Sequence, residues 1–228
     1  MITVKLGDRE VDIPSNWVDI TFEQFLGFSE LCKSRKSEEE LKEKYETLDE
    51  EIKDLQITMD NIKFNTKLAC YFTDLSEEEM AMCDMEQVEK ILNALGFLQQ
   101  EYMPIAINSF KIGDEEFFLP SKGMVKENFG TYIEAEQVEL NNKKLEAGVL
   151  QVLPKQVAIL CKKKDEKPGL VDDDLIAERE NKFKKLDMAT IWDVGFFLLQ
   201  QEGLLMRNFL TYLKAEGTAR RKLQQKEQ

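Results

Sequence analysis

Four cysteines, several runs of carboxylates and the neighbours Glu178-Arg179 are the first side chains in this chain to weigh for chemistry. The cysteines are Cys32, Cys70, Cys83 and Cys161; none forms a C-x-x-C pair, and each sits in an apolar, helix-like stretch. Such thiols read as small hydrophobes packed in a reduced state, in a reducing compartment, and not as metal ligands. The carboxylate runs Glu77-Glu78-Glu79 and Asp172-Asp173-Asp174 fall at expected helix starts. Negative charge is favoured there by the helix dipole, which accounts for them without a metal or an acid–base pair. Glu178-Arg179 can form a charge pair inside the molecule or across an interface, and the sequence leaves both open. No histidine occurs anywhere. Its absence removes the commonest general base, the Ser-His and Cys-His nucleophile pairs, and histidine-bound zinc. Phosphate-cradling loops of the G-x-x-x-x-G-K-[ST] or G-x-G-x-x-G type are missing, as is a G-x-S-x-G elbow. The expectation is therefore a protein that is not an enzyme and takes no cofactor or metal. A small enzyme or host-regulating factor working through carboxylates and lysines is the lesser alternative.

A formal net charge of −13 repels phosphate backbones, so nucleic acid is an unfavourable partner. Arg220, Arg221, Lys222 and Lys226 form a local basic exception; they read as a solvated helix end, with DNA contact as the other option. The longest apolar runs, such as Val194 to Leu199, fall short of the ~20 residues of a membrane span. Met1 leads directly into strand-like residues, so no secretory signal is expected.

The elements expected to hold the chain together begin with a repeat. Ile2 to Ile13 alternates apolar and polar residues on both sides of Gly7-Asp8, and Pro14 stops the second strand. Lys111 to Ser121 aligns without gaps on Lys5 to Ser15, 106 residues earlier, with six of eleven positions identical. The repeat carries its own turn, Gly113-Asp114, and its own stop, Pro120. With one inserted residue the match continues into a helix start, Phe22, Phe25 and Leu26 falling on Phe129, Tyr132 and Ile133, preceded by the caps Thr21 and Asn128. An isolated hairpin is barely stable in water. The expected fold is therefore α+β and predominantly helical, with the two repeated β-hairpins pairing into one small antiparallel sheet covered by helices. A single domain over 1–216 would consist of two hairpin-plus-helix repeats, 1–104 and 105–216, followed by a polar tail, 217–228.

Elsewhere the periodicity is helical. Ser37 to Glu40 and Ser76 to Glu79 read as capping boxes, and Asp172 or Asp173 as the cap of a helix through Leu186. Leu41, Tyr45, Leu48, Ile52 and Leu55, spaced four, three, four and three, form a narrow apolar stripe on a charged helix. It can seat on the molecule's own core or offer a coiled-coil-like seam to a partner. Further candidate contact residues are Phe196, Phe197, Phe209 and Tyr212, on apolar C-terminal helices spanning 188–215. Met80, Met82 and Met85 suit core filling or an adaptable groove. Trp17 is expected to fold back on the first hairpin, and Lys162 to Gly169 to form an exposed polar loop.

The opening hairpin, the entry Ile13-Pro14-x-x-Trp17-x-x-Ile20-Thr21-x-x-Gln24-Phe25, the re-entry Phe129-Gly130-x-Tyr132 and the helix Ile176-Ala177-Glu178-Arg179 together resemble a known group. It comprises small acidic proteins from the structural gene blocks of tailed bacteriophages, especially crAss-like and other phages of Bacteroidota. The resemblance implies a non-enzymatic virion structural or packaged cargo protein near the portal and tail, or a tail-assembly chaperone not retained in the virion. It implies other phage structural proteins as partners, with a homo-oligomer as a further option. It also implies location in the virion, and in the host bacterial cytoplasm during assembly.

Overall fold

The computed structural model describes residues 1–6, 9–121, 128–144, 149–164, 166, 172–198 and 200. The chain divides into two compact units, Met1–Tyr102 and Met103–Gln228. The division falls beside the 104/105 junction between the two sequence repeats.

Unit one opens with strands β1 (Ile2–Leu6) and β2 (Arg9–Ile13), antiparallel, with Val4 opposite Val11 and Lys5 opposite Glu10. Alternation sends Val4, Val11 and Ile13 inward, and buried Pro14 follows the last paired residue, as expected for a residue with no N–H to donate. Gly7 and Asp8 lie outside the described residues. Helix α1 (Phe22–Lys33) starts at Thr21 in a full capping box: the Gln24 N–H donates to Thr21 Oγ1, and the Thr21 N–H to Gln24 Oε1. The same device starts α2 (Glu38–Lys44) at Ser37 and α4 (Glu77–Ala81) at Ser76. Between these two lies α3 (Glu50–Thr73), which ends with Asp74 in the left-handed region at φ 54°. Helix α5 (Met85–Ala94) and a 3₁₀ turn (Leu95–Gln99) complete the unit. Its core is apolar and mixed in origin: Phe22, Phe25, Leu68, Phe72, Ile91, Leu95 and Phe97 are all buried. Trp17 covers that core with edge-on ring contacts to Phe25, Phe97 and Tyr102 at 5.9, 5.2 and 6.5 Å. These rings belong to α1, the 3₁₀ turn and the segment after it, not to the hairpin that was the expected partner.

Unit two repeats the opening. Strands β3 (Ser109–Ile112) and β4 (Glu115–Phe118) pair with Phe110 opposite Phe117 and Lys111 opposite Glu116. These rungs match Val4–Val11 and Lys5–Glu10, so the gapless sequence alignment is also an alignment of register. Gly113 has φ +58° and Asp114 does not have positive φ, the arrangement of a two-residue turn with glycine at its first central position. Buried Pro120 again follows the strand. Asn128 caps α6 (Phe129–Lys144), its side-chain oxygen accepting from the Gly130 N–H at 2.8 Å. Then come α7 (Val149–Leu160), a short strand β5 (Lys162–Lys163), α8 (Asp173–Phe183), capped by Asp172, and α9 over 188–198.

The predominantly helical α+β class is the observed one. The single four-stranded sheet is not: β1 and β2 form a two-stranded sheet, and β3, β4 and β5 a separate three-stranded one. The physical reason is local. One edge of β4 is taken by β5, with Phe117 opposite Lys163 and Phe118 opposite Lys162. In unit one, the hairpin packs against α5 and α3. Each hairpin thus finds cover in its own half, and no sheet shared by the two hairpins occurs among the described residues. Strand β5 also corrects the expected 162–169 loop, whose first residues are paired. The 217–228 tail lies outside the described residues.

Candidate interaction surface

The expected apolar stripe from Leu41 to Leu55 is divided by a chain turn. Helix α2 ends at Tyr45, and α3 starts after Asp49, an N-cap whose side chain makes no capping hydrogen bond. Leu41 is buried and Tyr45 half-buried, with the Tyr45 hydroxyl donating to Asp60 at 2.9 Å. Lys44 also donates to Asp60, at 2.9 Å, so α2 is fastened along one side of α3. These two residues therefore serve the molecule's own packing. Leu48, Ile52 and Leu55 face outward, at 38%, 46% and 64% exposure.

The exposed stripe then continues beyond the residues identified from sequence. Met59 and Ile62 are 48% and 51% exposed. Leu48, Ile52, Leu55, Met59 and Ile62 keep the four-three-four-three spacing, and Ile52 to Ile62 ride on one continuous helix. At 100° per residue they fall about 180° around α3 from Ile57, Asn61, Phe64 and Leu68. That opposite face holds the helix in the fold: Leu68 is buried, and the Arg35 guanidinium lies 5.0 Å from the Phe64 ring centre. Helix α3 therefore has two apolar faces, one used internally and one presented outward.

The methionine stretch divides similarly. Met80 is buried, whereas Met82 and Met85 are almost fully exposed. On α9, Phe196 is exposed and Phe197 half-buried, and Gly195 allows close approach to Leu153, whose Cδ2 would lie 3.3 Å from an added Cβ. Phe209 and Tyr212 lie outside the described residues.

In unit two, a few charged groups with several partners each hold elements together. Arg179 on α8 is 3% exposed. It pairs with Glu166 at 2.5 Å and donates to the carbonyls of Ala158 and Cys161 at 3.5 and 3.4 Å. These carbonyls lie at the end of α7, where backbone acceptors lack helical partners and the dipole favours a cation. The Arg179 guanidinium also lies 5.7 Å from the Phe117 ring centre. Glu178, the sequence neighbour considered as its partner, instead pairs with Lys182 at 2.8 Å. Helical geometry explains the difference: Glu178 and Lys182 share a face at i,i+4, whereas adjacent residues diverge. Burial raises the Glu166 carboxyl, but hydrogen bonds from Arg179 and the Lys163 backbone N–H, with the nearby positive charge, bring it below the usual range.

Glu115 on β4 accepts from Lys163 of β5 and from Lys182 of α8, the latter at 2.8 Å; these two hydrogen bonds hold its carboxyl at about 2. Burial pushes all four cysteine thiols up, Cys161 most strongly, and so favours the unreactive protonated form. Among the described residues, no group of three or more Cys, Asp or Glu side chains could hold a metal, and no helix is long and apolar enough to cross a membrane. No protein-family model matches the chain, and neither the curated proteins nor the solved structures contain a match.

Proposed function

We propose that this chain acts by protein–protein contact and without catalysis, as a structural or packaged cargo protein of a tailed bacteriophage near the portal and tail. The observation that carries the contact reading is the outward stripe Ile52, Leu55, Met59 and Ile62 on α3. A helix with a second apolar face at coiled-coil spacing gains by covering it, at roughly 25 cal/mol per Å² removed from water. The most strongly shifted acid, Glu115, is held by two lysines that join β4, β5 and α8, which supports a structural role for it. The phage setting is supported by the resemblance in the hairpin, the entry around Trp17 and the re-entry at Phe129-Gly130-x-Tyr132. The partners are then other phage structural proteins, encountered in the host cytoplasm and retained in the virion.

Quantitative mass spectrometry of purified particles tests this assignment. A fixed copy number per particle is the expected result. A chain abundant in infected cells but missing from particles would favour the tail-assembly chaperone reading, which uses the same contact surface transiently.

A further inference from the structure

We propose that α3 pairs with α3 of a second copy of this chain, antiparallel, about a two-fold axis level with residue 57. This rests on the contact reading above and names the partner. The stripe supplies the seam. In the antiparallel register Ile52 faces Ile62 of the second copy and Leu55 faces Met59, each layer occurring twice; Leu48 and Thr66 close the ends. The four layers from Ile52 to Ile62 lie on helix throughout and cover about 15 Å at 1.5 Å per residue, with Leu48 just ahead of the helix start.

The flanking residues select the orientation and the occupant. Beside the seam, Asp49 meets Lys63 of the second copy, and the two-fold repeats that pair. Gln56 meets Gln56, Thr58 meets Thr58, and Glu51 meets Asn65. No like charges oppose one another. A parallel pair would set Glu51 against Gln56 and Thr58 against Lys63, with no opposite charges joined. Both members of the ion pair are available. Asp49 makes no side-chain capping bond, and Lys63 is 68% exposed with only a 3.9 Å approach to Asp60. A surface complementary to itself under a two-fold axis is what an isologous dimer requires. The short seam implies a weak, micromolar association.

Sedimentation velocity of the full chain across about 1–100 µM is the test, a range set by that expected affinity. The parent protein should shift from monomer to dimer, and Leu55→Lys should remain monomeric with an unchanged far-UV circular dichroism spectrum. Asp49→Lys and Lys63→Asp, each alone, should weaken dimerisation about tenfold, because each converts two attractive contacts into two repulsive ones. Mixing those two variants should restore a heterodimer at the parent affinity, an outcome specific to the antiparallel register. A parent that stays monomeric overturns the proposal. So does dimerisation unaffected by Leu55→Lys, or failure of the mixed variants to recover. Hydrogen exchange identifies other occupants: concentration-independent protection of α3 in a monomer means another segment of the same chain covers the stripe. A monomer incorporated into particles only when Leu55 is intact would remove self-pairing while leaving the contact reading; incorporation indifferent to Leu55→Lys would remove α3 from both.

Discussion

At the scale of single residues, unit two depends on a small number of charges with several partners each. Arg179 joins the end of α7, the Phe117 ring and Glu166. A buried ion pair is weak support for stability when compared with apolar packing, but removing one member strands the other. Glu166→Gln should therefore cost about 3 kcal/mol in urea unfolding, well above the ~0.5 kcal/mol usual for an exposed substitution. Glu115 gives a pH signature. Its folded value of about 2 lies below the ordinary 4.5, so its pairing adds stability above pH 4.5 and loses it as pH falls toward 2. Glu115→Gln should lower the thermal midpoint at neutral pH, and its difference from the parent should shrink across that window. Solvent exposure keeps the effect modest.

At the scale of elements, α3 and the two hairpins show what local chemistry does and does not encode. The caps Thr21, Ser37, Ser76, Asn128 and Asp172 were legible because a cap is settled within three residues of sequence. The hairpin duplication was legible for the same reason, down to the matching Lys–Glu rungs. Replacing Gly113 by alanine should cost about 1–2 kcal/mol in thermal unfolding, because φ +58° crowds a Cβ. The stripe from Leu41 to Leu55 does not mark one helix: Asp49-Glu50-Glu51 supplies a fresh acidic start for α3, and Gln56-Ile57-Thr58 contains nothing that would end it. Continuing the four-three spacing through Met59 and Ile62 was the available signal for the full stripe. Which residues of that spacing turn inward was not readable, because Leu41 and Tyr45 are settled by the seating of α2 on α3. The consequence is measurable: Leu55→Ser should change folding stability by less than about 0.5 kcal/mol, whereas Phe72→Ala, on the packed face, should cost about 3–5 kcal/mol.

For the whole molecule, each unit has its own hairpin, sheet and apolar core. The phenylalanine cluster in unit two makes this concrete: Phe183 meets Phe110 and Phe117 edge-on at 5.6 and 5.2 Å. Phe183→Ala should cost about 3–5 kcal/mol and speed hydrogen exchange chiefly in amides of Met103–Gln228. Sheet partnership and the partners of Arg179 were not legible in advance because both depend on residues distant in sequence, Lys162–Lys163 for β4 and Glu166 for Arg179. The outward apolar face of α3 supports the proposed function by contact. Cross-linking mass spectrometry on assembled particles, using the lysines Lys53 and Lys63 of α3 as reporters, tests that claim most directly. Intermolecular links concentrated at these two positions are the predicted result. Links from them only to residues of the same polypeptide, in particles that contain the chain, would contradict it.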